Sequence, residues 1–298
     1  MSAPWQEIIG RTASGTLTLV HARSALFDLY GDHLRRRGAV AQVAVLVRLL
    51  TPLGVAAPAV RTAVSRMVRQ GWLAPAAVAG GPGYALTARA EQRLDAAHER
   101  VYRTRVATWD GGWDVVLVDI AGSRASRDRL AAGLRYLGYA PLRPGSWISP
   151  RGSDELDALL AAEGATAERF TARSEADGGA LAARAWDLPA IAARYREFER
   201  QAAPLLVDAR DLAQRRGAAG DDQRAYVVRA TLLHEWRKLL FVDPGLPAAL
   251  LPPGWDGERV AARFDTAAGA LAPAADRFVQ GCLGGSAPLA TSDHLEVR

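Results

Sequence analysis

The sequence predicts an α+β protein in three parts: an N-terminal winged helix-turn-helix, a ferredoxin-like sandwich in the middle and an all-α C-terminal domain. Three observations carry that reading. Basic charge is crowded into the first third, strands alternate with helices between residues 109 and 188, and from Pro189 onward the apolar period is helical. With 298 residues, 49% of them apolar, the chain can bury more than one core. Its net charge of +5 is unevenly spread: residues 1–110 hold 14 arginines against 7 acids, whereas residues 111–298 hold 23 basic and 25 acidic residues. Between Arg23 and Leu86, eight arginines meet only two acids, Asp28 and Asp32. A polyanion belongs at this end.

Several function classes drop out early. Cys282 is the only cysteine, so neither a disulfide framework nor a multi-cysteine metal site can form within one chain. No apolar run reaches the ~18–20 residues of a membrane span, and the opening MSAPWQEIIGRTASG lacks the basic-then-apolar layout of a secretory signal. The expected location is the cytoplasm, with no membrane partner.

Residues 1–22 read as a flexible arm and residues 23–108 as the first domain. Ser24 is a candidate N-cap for a helix that puts Leu26, Phe27, Tyr30 and Leu34 near one face, closed by Arg35-Arg36-Arg37-Gly38. Gln42–Leu50 gives a second helix, ended by Thr51-Pro52-Leu53-Gly54. The third helix, Ala57–Gln70, has Pro58 in its first turn and Gly71 at its end. Val60, Ala63, Val64, Met67 and Val68 form its apolar stripe, which leaves Arg61, Thr62, Ser65, Arg66 and Arg69 on the other face with no acid among them. Such a face is either a solvated basic surface or one that reaches guanine edges and phosphates in a major groove. The apolar runs Trp72-Leu73-Ala74 and Tyr84-Ala85-Leu86, separated by a turn at Ala79–Gly83, add a two-stranded wing. Thr87 then opens a linking helix to about Thr104.

The second domain, residues 109–188, has a strand at Trp113–Ile120, a helix at Arg124–Leu137 and a strand at Pro141–Ser149. A helix at Asp154–Ala162 and strands at Ala165–Ala172 and Leu181–Leu188 complete a ferredoxin-like pattern. Residues 189–283 are helical, with long helices at Ile191–Arg216 and Gln223–Phe241 and a last one ending near Cys282; residues 284–298 read as disordered.

Four motifs in order resemble the PaaX family of transcriptional repressors of phenylacetate catabolism. They are Leu29-Tyr30-Gly31-Asp32, Val60–Val68 leading to Gly71-Trp72-Leu73, Leu137-Gly138-Tyr139 with Pro144–Pro150, and His234–Lys238 with Asp243-Pro244, Leu246-Pro247 and Leu251-Pro252. The resemblance covers roughly residues 23–281. It implies a homodimeric repressor with a Cas2-like middle domain, bound to a palindromic double-stranded DNA operator and released by an aryl-acyl-CoA such as phenylacetyl-CoA, with no cofactor and no enzymatic activity.

On that resemblance the DNA-binding candidates are Arg61, Thr62, Ser65, Arg66 and Arg69, with Gly81 and Tyr84 in the wing. Arg35, Arg36 and Arg37 would add salt-dependent phosphate affinity. Effector candidates are His234, Trp236, Arg237 and Trp147, because coenzyme A phosphates call for arginine and an aryl group for an apolar pocket. His234 reads first as a hydrogen-bonded structural histidine on a packed helix and second as part of an effector-facing polar cluster. His234-Glu235 opens a metalloprotease motif, but Lys238 stands where the second imidazole is required, so no metal site is expected. One enzyme alternative remains: Asp119, at the end of the first middle-domain strand, could pair across a dimer to hold magnesium in a Cas2-like nuclease. Neither a Gly-x-Ser-x-Gly elbow nor a Walker loop is present.

Overall fold

The computed structural model describes residues 21–35, 38, 40–78, 81–101, 108–215, 220–239 and 242–284. The expected arm over residues 1–22 lies almost wholly outside them, as does the expected disordered tail beyond Gly284. The chain divides into two compact units: Met1–Tyr102 with Arg200–Trp236 and Ala262–Arg298, and Arg103–Glu199 with Arg237–Ala261.

In the first unit, helix α1 (Ala22–Leu29) runs into a single π-helical turn, Tyr30–Leu34. Ser24 therefore sits inside α1 and is not its N-cap; the helix starts behind His21, whose backbone is extended and whose side chain makes no capping bond. A short strand β1 (Val40–Gln42) leads directly into α2 (Val43–Leu50), and Gly54, at a φ of 80°, ends the 3-10 turn Thr51–Leu53 that follows. Helix α3 (Ala57–Arg69) carries Pro58 in its first turn, where a missing N–H costs nothing. Strands β2 (Leu73–Val78) and β3 (Gly81–Leu86) form an antiparallel hairpin, and β1 pairs with β3 to make a three-stranded sheet of order β1-β3-β2.

The turn of this hairpin is shorter than expected. Gly81, Pro82 and Gly83 lie within β3, opposite Val78, Ala77 and Ala76. Gly83 is required by a close approach: a Cβ there would fall 2.1 Å from the Val78 side chain. Thr87 caps α4 (Ala88–Val101) by accepting from the Ala90 N–H at 3.3 Å. Leu26, Leu29, Tyr30, Val60, Val64 and Met67 share one core, which continues onto Tyr226, Val227, Ala275 and Val279 of the C-terminal helices described below.

The second unit holds the sandwich. Strand β4 (Gly112–Asp119), helix α5 (Arg124–Tyr136), strands β5 (Ala140–Arg143) and β6 (Ser146–Ser149), helix α6 (Leu156–Glu163) and strand β7 (Thr166–Arg173) follow in β-α-β-β-α-β order. All pairs are antiparallel, in the order β5-β6-β4-β7. Two expectations are corrected here. Pro141–Ser149 is not one strand but a hairpin, broken where Gly145 takes a φ of 75°. Leu181–Leu188 is not a strand either: α7 (Gly178–Ala185) occupies it, capped by the Asp177 carboxylate accepting from the Ala180 N–H at 2.8 Å. β7 already completes the sheet, and the alanine-rich stretch buries Leu181 and Ala182 as a helical pair instead. Val116, Leu130, Leu134, Tyr139 and Leu156 centre this core.

Among the described residues, the C-terminal third is carried by three long helices: α8 (Leu188–Gln214), α9 (Asp221–Leu239) and α10 (Asp256–Leu283).

Candidate nucleic-acid interface

The α3 stripe faces the core as its spacing predicts. Val60, Ala63, Val64 and Met67 are buried, and Arg61, Thr62, Ser65, Arg66 and Arg69 are all exposed. Among the described residues no carboxylate lies within ion-pairing distance of Arg61, Arg66 or Arg69. The Thr62 hydroxyl donates to the Pro58 carbonyl one turn back at 2.9 Å, which ties it to its own helix and leaves an oxygen lone pair outward. Three cations and two small hydroxyls on about four turns of rigid helix form a surface that attracts a polyanion without self-neutralisation.

The hairpin candidates are less open. Gly81 is exposed at the start of β3, and Tyr84 is half-buried against the core, its carbonyl accepting from the Tyr30 hydroxyl at 2.9 Å. Burial pushes the Tyr30 phenol well above the usual tyrosine range, so it stays a neutral donor. Arg35 is paired with Asp95 of α4, whose side chain is largely exposed. Arg36 and Arg37 lie outside the described residues.

The four effector candidates are divided between the two units. Trp236 is buried and stacks on Phe264 with ring centroids 4.6 Å apart, and His234 Nδ1 lies 2.8 Å from Asp28 Oδ2 of α1. In the other unit, Trp147 is a core residue of the sandwich with the Arg135 guanidinium 5.5 Å from its ring centre, and Arg237 is half-buried. Asp119 is exposed at the end of β4. No group of three or more His, Cys, Asp or Glu able to hold a metal occurs among the described residues, and no described helix is long and apolar enough to cross a membrane.

Sequence reasoning passed over a buried polar cluster in the first unit. Asp32, on the π turn, forms an ion pair with Arg229 of α9, in which Nη2 donates to Oδ1 at 3.1 Å and Nη1 lies beside Oδ2. His33 is 3% exposed, with Nε2 3.2 Å from Asp32 and Nδ1 3.4 Å from Asp276 of α10. Arg229 Nε also donates to the Ala268 carbonyl at 3.0 Å. Burial works against the Arg229 guanidinium and lowers its pKa, while the nearby Asp276 pulls the other way. A signal for this cluster was present: Asp28 and Asp32 are the only acids in an arginine-rich stretch and stand four residues apart.

Three consecutive family descriptions match the chain: a PaaX-like protein over residues 21–90, the PaaX protein central Cas2-like domain over residues 106–185, and the PaaX-like protein C-terminal domain over residues 186–281. The chain belongs to the PaaX family. The transcriptional repressor PaaX of Escherichia coli K12 is 29% identical over 271 residues, covering 87% of this chain and 83% of that protein. A solved structure of the uncharacterized protein Rv0674 from Mycobacterium tuberculosis matches with a TM-score of 0.53 and 29% identity, over 88% of this chain and 99% of the other. The PaaX Cas2-like match coincides with the β-α-β-β-α-β sandwich, and the first match with α1 through the start of α4.

Proposed function

We propose that this PaaX-family chain is a DNA-binding transcriptional repressor and not an enzyme, with α1 to α3 and the β2–β3 hairpin acting as a winged helix-turn-helix and α3 as its recognition helix. The observation that carries this is the α3 face, on which Arg61, Arg66 and Arg69 are exposed and acid-free beside Thr62 and Ser65. Arginine can read guanine O6 and N7 bidentately, and the small hydroxyl residues let the helix approach the groove floor. The repressor name of the Escherichia coli relative supports the same reading. Two copies would present α3 to successive major grooves of a roughly palindromic operator, with Gly81 and Tyr84 in a wing beside the backbone. The working site is the cytoplasm, where the operator is.

The effector side of the reading is an aryl-acyl-CoA such as phenylacetyl-CoA. Its phosphates call for arginine and its aryl end for an apolar pocket, so His234, Trp236, Arg237 and Trp147 are the residues to substitute. The ligand must bind the free and DNA-bound dimers unequally, or it shifts nothing. No observation favours a nuclease built on Asp119, since a Cas2-like fold carries no activity by itself.

Gel-shift titration on the intergenic DNA upstream of the chain's own gene, with and without a panel of acyl-CoA thioesters, tests the whole reading. A specific complex dissolved by one thioester class is the expected result. Equal affinity for that DNA and for random duplex would overturn it.

A further inference from the structure

The two acids of the arginine-rich stretch are not scattered among the exposed cations. Both are turned inward onto α9: Asp28 meets His234, and Asp32 meets Arg229. Asp32 is also joined through His33 to Asp276 of α10, and Arg48 of α2 donates to the Cys282 carbonyl near the end of α10 at 2.6 Å. Every helix that flanks α3 in the chain up to that point, α1 and α2, therefore holds a polar handle on a C-terminal helix of the same unit.

We propose that this network is a latch that positions the DNA-reading module: Arg229 and His234 are positioning residues that fix α1 and the π turn against α9, and α9 is the element through which a signal reaches α3. The proposal rests on the reading of α3 as the recognition helix.

The physical case has three parts. Apolar burial, here of Tyr226 and Val227, is a non-directional driving force. A guanidinium held by directional bonds, here Nη2 to Asp32 Oδ1 and Nε to the Ala268 carbonyl, restricts both distance and orientation, and buried pairs of this kind are weak sources of stability but can specify one arrangement. The π turn fits the same purpose. A one-turn π-helix inside a helix is uncommon and tends to occur at functional positions; here it carries the successive residues Asp32 and His33 into the interior, their side chains 5% and 4% exposed. The connection onward is short. Leu26, Leu29 and Tyr30 share a core with Val60, Ala63, Val64 and Met67 of α3, and the Tyr30 hydroxyl reaches the Tyr84 carbonyl of the hairpin. A displacement of α9 at Arg229 thus reaches both the helix and the hairpin of the reading head through rigid contacts.

The test compares Arg229→Met, which keeps the side chain's length and removes its charge, with Arg229→Lys, which keeps the charge. Hydrogen exchange and duplex binding are measured on the full chain. Expected for Arg229→Met are amide exchange in residues 22–34 faster by about tenfold or more with β4–β7 unchanged, and operator affinity down by about tenfold with random-duplex affinity unchanged. Arg229→Lys should restore part of both. If Arg229→Met fails to fold, His234→Leu against His234→Asn carries the same comparison at the slightly more accessible end of the network. Unaltered exchange in residues 22–34, or operator and random-duplex affinities falling in the same proportion, would overturn the latch. Failure of the repressor reading shows differently, since the unsubstituted chain would then bind no operator while the exchange arm still reports on the latch.

Discussion

The arginines of α3 and the arginine of α9 belong to one unit and have opposite surroundings. Arg61, Arg66 and Arg69 are exposed with no carboxylate beside them among the described residues, whereas Arg229 is 8% exposed and locked onto Asp32. The difference teaches how to read an arginine-rich chain. A guanidinium with a buried partner has spent its charge within the fold, and one with neither burial nor partner keeps it for a ligand. Arg35 belongs to neither class: it is paired with Asp95, but the Asp95 side chain is 59% exposed, so the pair is solvated.

The comparison breaks hardest at Arg229. Replacing it with methionine strands Asp32 in the interior beside His33, and losses of about 3–5 kcal/mol are usual when one partner of a buried pair is removed. The double change of Asp32→Leu with Arg229→Met should recover most of that loss, because two well-packed apolar groups leave no orphaned charge. Urea unfolding of the single and double variants measures this directly. A single-variant loss below about 1 kcal/mol would place Arg229 with the surface arginines and erase the distinction.

On α3 the expected pattern is reversed. Arg61→Ala and Arg66→Ala should leave unfolding within about 0.5 kcal/mol of the parent, as exposed positions do, yet each base-reading arginine should lose about 1–3 kcal/mol of discrimination at one operator position. Binding profiles across operator base substitutions separate the two roles: a loss confined to one position marks a base contact, and a uniform loss marks a phosphate contact. Arg69→Ala, closest to the helix end, is the sharper test of a phosphate role. It should lower the slope of log affinity against log salt by about 0.9, one counterion's worth.

How far these contrasts were legible in the sequence depended on whether the signal was local. The α3 stripe obeys a simple 3.6-residue period, so its buried and exposed faces were read correctly from Val60 to Arg69. The hairpin after Gly71 was also visible, but not that Gly83 is small to make room for Val78, because that constraint comes from across the strand pair. Pro141–Ser149 was misread as a single strand although Pro144-Gly145 marks the break, and Leu181–Leu188 as a strand although its alanines favour helix. The Asp32–Arg229 pair spans 197 positions and Asp28–His234 spans 206, and no periodicity within a window can join residues so far apart. Only the oddity of two acids in a basic stretch pointed that way.

A third kind of arginine sharpens the contrast at its weak end, paired but wet. Asp256, in the first turn of α10, accepts from Arg196 of α8 at 2.6 Å and from Arg259 at 3.1 Å, and Arg259 also reaches Glu199. The hydrogen bond from Arg196, then that from Arg259, holds the Asp256 carboxyl below the usual aspartate range. Its folded pKa is depressed, so its contribution is present above the unfolded value near 3.9 and is lost as pH falls through the lower folded value. All three side chains are partly solvated, which limits the effect to less than about 1 kcal/mol. Asp256→Asn should therefore be slightly less stable than the parent at pH 7 in urea unfolding, with the gap closing below pH ~4 as the parent's own carboxyl protonates. A gap that persists unchanged at the acid end would mean that Asp256 acts by starting the helix and not by its charge, and the wet pairs would then have no electrostatic part in the fold.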